Sequence, residues 1–499
     1  MNRPNVLLIT VDQWPGQFLG VAGHQQVLTP TIDQLARNGV RFTNAYAPTP
    51  ICIPARRSLM TGTSPRVHGD RTFLVNGTMP PHLPTMAQTF RDAGYQAFAV
   101  GKLHVHPARE RVGFDDVILA EEGRANKGIV DDYEMYLAEQ GYPGQTFAHG
   151  MSNNDYQTRP WHLAEEHHVT NWTTREMVRL IKRRDPSRPQ LWYLSYSAPH
   201  PPLVPLQAYL DMYRDVEIEL PPRGSWLDRE DVPFFVRAVQ GNWDYFSDRE
   251  VRDILRAYYA MCTHVDHQLR VIIGTLREEL LLDDTIILLT SDHGDMLGTH
   301  GLWAKRLFYE NAAKVPMILV GTGASERGFD PRVGHHRVDD RLVGLQDVMP
   351  TLLELADIEI PETVDGVSML SEQQRSYFFG ECVEDAGATR MIHDGRFKLI
   401  YYAVGNHTQL FDLEDDPDEL TDLANLPEYQ EVRDRLTELL VGELYGSDEE
   451  WLDAEGVLVG LPDIDFEPGP RRGLVGQRGI HWPQPPPDPS DRPTGIPTG

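Results

Sequence analysis

Short apolar segments alternate with helical patterns along most of this chain. Residues 5–11 form a nearly continuous apolar run, which is typical of a strand buried on both faces of a parallel sheet. Strands separated by helices favour a doubly wound α/β fold with one large, mostly parallel sheet. Further strands are predicted at residues 40–47, 95–100, 191–197, 285–289 and 315–321, and a long helix at residues 249–279.

After about residue 370 the pattern changes to short strands separated by turns. Asp394-Gly395 is a typical hairpin turn between two of them. We therefore predict a smaller C-terminal α+β domain with a short antiparallel sheet. A tail rich in Pro and Gly follows, which is extended or disordered, or wraps a neighbour and so favours a homo-oligomer. The predicted boundaries are 1–370 for the α/β domain, 371–459 for the α+β domain and 460–499 for the tail.

Two long segments, 107–187 and 203–247, show no clear period. We predict that the first is irregular, that the second is rich in loops, and that both are insertions that shape the entrance to a site. Their aromatic rings could stack on an aryl or sugar ring or lie over a cation, although ordinary packing is an equal alternative. The tryptophans in question are Trp161, Trp172, Trp226 and Trp243.

The acidic composition limits the partners that this chain can have. It has 74 acidic and 46 basic residues and a formal net charge of −28, so it should repel nucleic acid and anionic membrane surfaces. An anionic substrate would therefore need a local basic pocket. Three cysteines, Cys52, Cys262 and Cys382, are too few for a disulfide framework and fit a reducing compartment. Because no signal-peptide pattern or membrane-spanning apolar run is present, we expect a cytoplasmic protein.

Cys52 stands just before Pro54 in the segment Cys52-Ile53-Pro54-Ala55-Arg56. Proline suits the first turn of a helix, so Cys52 should lie at a helix N-terminus. Free N–H groups and a partial positive charge at that position favour an activated nucleophile and an anion. Arg56, one turn later, could reach the same place. From this stretch alone, a buried structural cysteine is the simpler interpretation.

Metal-capable side chains follow two of the predicted strands. Asp12 and Gln13 come directly after the first strand, and Asp292 and His293 follow the strand at 285–289. Since the carboxyl ends of parallel strands meet at one edge of a sheet, the two pairs should lie together and bind a divalent cation. The oxygen ligands suit Ca²⁺, Mg²⁺ or Mn²⁺, and the histidine nitrogen favours Mn²⁺ or another transition metal.

Basic side chains lie after or near the ends of several strands. If they converge, they form a pocket for a compact oxyanion within an acidic protein. A positioned histidine could also protonate a leaving oxygen. The candidates are Arg56, Lys102, His104, His200 and Lys305.

The motif Cys-x-Pro-x-Arg at 52–56, followed by Leu-Met-Thr-Gly at 59–62, is similar to the signature of the sulfatases of the alkaline phosphatase superfamily. Residues 5–13, 101–104, 198–200, 291–295 and 303–305 also resemble that family, in its order. The resemblance spans about residues 4–420. It implies an enzyme that hydrolyses a small-molecule sulfate monoester to an alcohol or phenol and sulfate.

The resemblance further implies that a formylglycine-generating enzyme converts Cys52 to 3-oxoalanine (formylglycine). One hydroxyl of the aldehyde hydrate would attack sulfur and displace the alcohol, and the second would then expel sulfate. The same resemblance gives one divalent metal ion, with Ca²⁺ as the first expectation and Mn²⁺ or Mg²⁺ as alternatives. Its implied ligands are Asp12, Gln13, Cys52, Asp292 and His293.

Roles for the basic residues also come from the resemblance. Lys102 and Lys305 would stabilise the charge on the transferred group. Arg56 and His104 would hold the formylglycine hydrate, and His104 would take a proton from its second hydroxyl. His200, alone or with Lys305, would protonate the leaving group.

Gln13 and His293 stand where many sulfatases have Asp and Asn, and they are similar to residues of phosphonate monoester hydrolases and choline sulfatases. Lys102 and His104, in contrast, match the sulfatase pattern. The favoured function is therefore a sulfatase with side activity on phosphate and phosphonate esters. The alternatives are a phosphonate monoester or phosphodiester hydrolase with the same nucleophile, and a non-catalytic binding protein with unmodified Cys52.

Overall fold

The structure is a computed structural model that describes residues 3–74, 77–122, 130–229, 231–243, 246–323, 328–465, 479–480 and 482. The strands of its larger sheet are β1 (Asn5–Asp12), β2 (Val40–Tyr46), β3 (Gln96–Gly101), β4 (Asp116–Leu119), β5 (Gln190–Pro199), β6 (Thr285–Ser291), β7 (Met317–Val320) and β8 (Arg337–Gly344). Their order across the sheet is β4-β3-β5-β1-β6-β7-β2-β8. β7 runs antiparallel to both of its neighbours, and the other neighbouring strands are parallel. This is the mostly parallel α/β sheet that the sequence predicts.

Helices cover both faces of the larger sheet, as a doubly wound fold requires. In chain order they are α1 (Pro30–Arg37), α2 (Cys52–Thr61), α3 (Pro65–His68), α4 (Met86–Asp92), α5 (Asp132–Glu139), α6 (Val169–Lys182), α7 (Gln207–Met212), α8 (Phe234–Gly241), α9 (Asp248–Glu278), α10 (Glu310–Ala313), α11 (Val348–Leu355) and α12 (Gln430–Glu443). Among the described residues, none of these helices has the length and apolar composition needed to cross a lipid bilayer.

The central strand β1 explains why the site lies where it does. Leu7, Ile9 and Val11 pack on one side of the sheet, against residues of α9 among others, and Val6 and Leu8 pack on the other side. Alternate side chains of a strand face opposite ways, so a strand covered on both faces is mainly apolar. The charged side chain of β1 is its last residue, Asp12, at the carboxyl edge of the sheet.

The second sheet confirms the predicted antiparallel unit. Its strands are β9 (Phe378–Cys382), β10 (Thr389–His393), β11 (Phe397–Tyr402) and β12 (His407–Asp412), in the order β12-β11-β10-β9. Asp394 and Gly395 form the β10–β11 turn, in which the side chain of Asp394 accepts the N–H groups of Arg396 and Phe397. The domain boundaries stay predictions, and most of the 460–499 tail lies outside the described residues.

The prediction that residues 107–187 are irregular is wrong. This segment supplies the edge strand β4 and the helices α5 and α6. The buried face of α6 carries Thr170, Thr173 and Thr174 beside Trp172, so its helical period is weak when only apolar residues are counted. β8 is also absent from the predicted strands, because an edge strand can carry charged residues such as those in its first half.

Candidate active site

Cys52 is the first residue of α2, as the position of Pro54 predicts, and it is fully buried. Its Sγ lies 3.1 Å from His293 Nε2 and 3.2 Å from Lys305 Nζ. Burial alone would raise the pKa of the thiol, but the positive charges of Lys305, His293 and Lys102 hold that pKa well below its usual value. The environment of Cys52 therefore favours an anion at this atom, which an inert buried cysteine does not need.

Arg56 lies one turn after Cys52 and is also buried. Its Nε donates a hydrogen bond to Asp292 Oδ2 at 2.9 Å, and its Nη2 donates to Asp12 Oδ2 at 3.1 Å. Nη1 donates to the carbonyl oxygen of Lys102 at 2.8 Å and to Ser195 Oγ at 3.0 Å. The guanidinium thus joins residues of β1 and β5 to the residues that directly follow β3 and β6.

Four of the predicted metal ligands meet at this edge of the sheet. Asp12, Cys52, Asp292 and His293 each offer one ligand atom, and these atoms lie within 4.8 Å of one another. His293 Nδ1 donates to the carbonyl oxygen of Gly294 at 2.9 Å, which leaves Nε2 facing the cluster. Burial opposes ionisation of Asp12, but the positive charges of Lys102, His200 and Arg56 together outweigh it and lower the pKa of this carboxyl below its usual value.

The remaining oxygen of Asp12 tests whether a cation fits here. Asp12 Oδ1 is buried and has no hydrogen-bond partner among the described residues. A buried carboxylate oxygen without a partner is costly, and a bound cation would satisfy it. Two carboxylates, one imidazole nitrogen and the atom at position 52 therefore form a donor set that suits a divalent metal ion.

Gln13, the fifth predicted ligand, lies at the same place with its backbone in the left-handed region (φ 64°). Its Oε1 accepts a hydrogen bond from Lys305 Nζ at 2.8 Å, on the side where Lys305 also contacts Cys52. Its Nε2 points away, towards Asp295 and Tyr156. The structure therefore brings the whole predicted ligand set together.

Lys102 and His104 follow β3 on a loop held by carboxylates. Lys102 Nζ forms an ion pair with Asp12 and a second one, 3.0 Å long, with Glu122 Oε1. Glu121 Oε1 accepts the backbone N–H of His104 at 3.0 Å, and the His104 side chain hydrogen bonds with Cys52. Sequence reasoning misses Glu121 and Glu122 because it does not predict the edge strand before them. Acidic residues at the end of a strand were the available signal.

His200 and Lys305 complete the basic side of the site. His200 Nδ1 donates to the carbonyl oxygen of Pro201 at 2.6 Å, and Nε2 accepts from Lys305 Nζ at 2.9 Å. Lys305 thus links His200, Gln13 and Cys52 from one ammonium group. All the basic residues predicted for an oxyanion pocket lie together in the structure, although the guanidinium of Arg56 is directed at the two carboxylates.

A pocket of about 80 Å³ opens beside His200. Most of its lining is aromatic or aliphatic, and it includes Tyr133, Phe147, Trp161 and Met261, with the carboxylate of Glu122 on one wall. Of the four tryptophans predicted to shape the entrance, Trp161 lines this pocket, whereas Trp172 packs on Tyr133, Trp226 on Tyr309 and Trp243 on Tyr156. The site therefore joins an anion-binding region to a small apolar one.

Comparison with known proteins agrees with this arrangement. The family model described as "Sulfatase" matches residues 4–358, and the model described as "N-sulphoglucosamine sulphohydrolase, C-terminal" matches residues 298–444. An arylsulfatase of Clostridium perfringens is 36% identical over 478 residues, which cover 92% of this chain and 98% of that protein. A choline-sulfatase of Rhizobium meliloti is 31% identical, over 85% of this chain and 83% of the relative.

Among solved structures, the phosphonate monoester hydrolase of Agrobacterium radiobacter superposes with a TM-score of 0.73 at 24% identity, over 88% of this chain and 95% of that one. At this identity the likeness shows the fold alone. It confirms the predicted α/β architecture with its second, antiparallel sheet.

Proposed function

Because this chain belongs to the sulfatase family of the alkaline phosphatase superfamily and is a sulfuric ester hydrolase, we propose that its nucleophile derives from Cys52 and that it acts on sulfate monoesters of small aromatic alcohols. The observation that carries the proposal is the position of Cys52. It lies at the N-terminus of α2, in contact with Lys305 and His293 and beside two buried carboxylates. A formylglycine-generating enzyme would convert Cys52 to formylglycine.

Asp12, Gln13, Asp292 and His293 would hold one divalent metal ion together with the modified residue 52. When present, the cation would polarise the ester, and the formylglycine hydrate would supply the attacking hydroxyl. The oxygen-rich set favours Ca²⁺ and also allows Mg²⁺, and the His293 nitrogen keeps Mn²⁺ as an alternative. Arg56 donates hydrogen bonds to both Asp12 and Asp292 and so would hold the two carboxylates in place.

The basic residues would bind the sulfate group and transfer protons. Lys102 and Lys305, with their ammonium groups beside Asp12 and Cys52, would bind the sulfate oxygens and stabilise the charge that develops on them. His104 would accept a proton from the hydrate. His200 would deliver a proton from Nε2 to the leaving oxygen, with Lys305 Nζ as the source of that proton, because His200 contacts Lys305 and lines the apolar pocket.

The apolar pocket beside His200 supports an aromatic alcohol as the leaving group. A phenol ring would bury its faces against Phe147, Trp161 and Met261. The net charge of −28 would disfavour polymeric sulfated glycans, which carry many negative charges. The cytoplasmic location and a homo-oligomeric state stay predictions.

Gln13 and His293 favour a second candidate, a phosphonate monoester or phosphodiester hydrolase with the same nucleophile. The deciding experiment compares kcat/KM for 4-nitrophenyl sulfate with that for the 4-nitrophenyl ester of phenylphosphonate, on protein co-expressed with a formylglycine-generating enzyme. A higher value for the sulfate supports the proposal, and a higher value for the phosphonate supports the alternative. Mass spectrometry of the Cys52 peptide tests the modification, and an unmodified peptide without turnover would support the non-catalytic alternative.

His200→Asn should slow the reaction most for esters whose alcohol is a poor leaving group. Without a proton donor at this position, kcat/KM for phenyl sulfate should fall by about 10²–10⁴-fold. The value for 4-nitrophenyl sulfate should fall much less, because nitrophenolate leaves without a proton. The control is His407→Asn, on β12 of the smaller sheet. An equal loss with both esters would show that His200 is not the acid.

Divalent cations should stabilise the protein against unfolding. A ligand that binds the folded state alone, at 100 times its Kd, adds about 2.7 kcal/mol to the free energy of unfolding. We expect chelated protein to unfold at lower denaturant concentration than protein with Ca²⁺, Mn²⁺ or Mg²⁺, and His293→Ala to lose most of this difference. A midpoint that does not respond to any of the three cations would contradict the proposed metal site.

A further inference from the structure

We propose that Asp295 is a positioning residue that fixes the side-chain amide of Gln13 with its oxygen towards the metal position. The inference rests on the proposed function, since it concerns the metal ligands of that site. Asp295 follows the pair Asp292 and His293 on the same loop and is fully buried. It has no part in the metal binding, nucleophilic attack or proton transfers proposed above.

The carboxylate of Asp295 is itself held rigidly. Its Oδ1 accepts the backbone N–H groups of Leu297 at 3.0 Å and Ala304 at 3.1 Å. Its Oδ2 accepts hydrogen bonds from Gln13 Nε2 at 2.5 Å and from Tyr156 OH at 2.7 Å. Each oxygen of the Asp295 carboxylate therefore accepts two hydrogen bonds, and all four of these partners are donors.

This environment decides which end of the Gln13 amide faces the metal. The oxygen and nitrogen of an amide exchange places when the group flips, so its partners determine the orientation. In the flipped state Oε1 would face the oxygen of Asp295, and the hydroxyl oxygen of Tyr156 would lose the hydrogen bond that Nε2 donates to it at 3.1 Å. At the opposite end, Lys305 Nζ donates to Oε1. All three partners select the orientation that presents an oxygen ligand.

The backbone of Gln13 is fixed by the same kind of contact. Its N–H donates to Asp292 Oδ1 at 3.1 Å, and its carbonyl oxygen accepts from Tyr258 OH at 2.5 Å. These contacts fix the backbone of Gln13, and Lys305 and Asp295 hold the two ends of its side-chain amide. A flip of that amide would remove the oxygen ligand without moving the backbone. Asp295 suppresses that flip.

Gln13 and Asp295 therefore form a matched pair of one amide and one carboxylate. In Asp295→Asn, the new amide would keep its oxygen on the N–H groups of Leu297 and Ala304 and turn its NH₂ towards Gln13. Gln13 would flip to accept that hydrogen bond and would present its NH₂ to the metal. In Gln13→Glu, two carboxylates would face each other across the 2.5 Å that separates Gln13 Nε2 from Asp295 Oδ2, and they would repel each other.

The experiment exchanges the two groups without changing their size. Mn²⁺ affinity is measured by isothermal titration calorimetry on the full-length, metal-depleted protein. Circular dichroism checks that each variant is folded. Gln13→Glu and Asp295→Asn should each weaken Mn²⁺ binding by about 10–100-fold. The double variant Q13E/D295N should recover most of the loss, because the amide now at position 295 can donate to one oxygen of the carboxylate now at position 13. The second oxygen of that carboxylate is then left for the metal.

The matched control is Asp266→Asn. Asp266 lies on α9, and its buried carboxylate also accepts two backbone N–H groups, those of Thr31 and Ile32 at the start of α1. It should bind Mn²⁺ as the wild type does. Wild-type affinity in Asp295→Asn, or a double variant no better than the single ones, would overturn the role of Asp295 while leaving the metal site in place. A wild-type protein that binds no Mn²⁺, Ca²⁺ or Mg²⁺ would overturn the proposed metal site and this inference with it.

Discussion

Replacing Cys52 with alanine should remove nearly all sulfatase turnover and leave the fold intact. Alanine cannot be converted to formylglycine, so the hydroxyl nucleophile would be lost. Removal of a nucleophile from a complete catalytic site typically costs roughly 10⁴-fold or more in kcat. The substitution deletes one atom at the first residue of α2, whose remaining positions are buried and packed. We therefore expect a change in the free energy of unfolding of about 1 kcal/mol or less.

Turnover of 4-nitrophenyl sulfate by Cys52→Ala and by the wild type, both co-expressed with a formylglycine-generating enzyme, tests this. Cys262→Ala is the matched control, since Cys262 is equally buried but lies on α9 in the apolar cluster on one side of the sheet. The control should keep its activity. Turnover near the wild-type level in Cys52→Ala would rule out a nucleophile derived from this residue.

Strand ends explain how much of the site could be predicted from the sequence. Asp12 ends β1 and Asp292 follows β6, and both strands are mainly apolar on both faces, so the place of these residues at the carboxyl edge follows from the parallel fold. A single proline predicts Cys52 at a helix N-terminus, and the structure has it there. These predictions depend on local patterns, which a sequence shows directly.

The residues that hold the ligands could not be predicted in the same way. Glu121 and Glu122 reach the site from the edge strand β4, whose four residues give too short a pattern. Asp295 contacts Gln13 across a sequence separation of 282 residues. Hydrogen bonds of this kind depend on side-chain directions and on the packing of several elements, neither of which leaves a period in the sequence.

Arg56 shows the same limit for a residue that the sequence does predict. Its place one turn after Cys52 predicts that it faces the oxyanion. The structure directs its guanidinium at Asp12 and Asp292, with side chains that are 2% exposed for the arginine and 0% for both carboxylates. Its position follows from the helix, whereas its partners follow from the ends of two distant strands.

Arg56→Ala should therefore act first on stability. The substitution leaves two buried carboxylates beside each other without the cation that joins them. Breaking a buried ion pair by removing one partner typically costs about 3–5 kcal/mol, and here one guanidinium serves both acids. We expect the urea midpoint to fall accordingly, and turnover to fall with it because Asp12 and Asp292 would move apart.

Two further variants test whether the loss of stability is specific to the guanidinium of Arg56 and does not follow from the removal of an arginine elsewhere. Arg56→Lys keeps the charge but cannot donate to both carboxylates in one plane, so its loss of stability should be intermediate. Arg179→Ala removes an exposed arginine that pairs with Glu176, and it should change the free energy of unfolding by less than about 1 kcal/mol. A divalent cation should recover part of the stability of Arg56→Ala, because it brings positive charge back to the same two carboxylates. If Arg56→Ala unfolds at the same urea concentration as the wild type in chelator, the guanidinium is not what holds the two acids together.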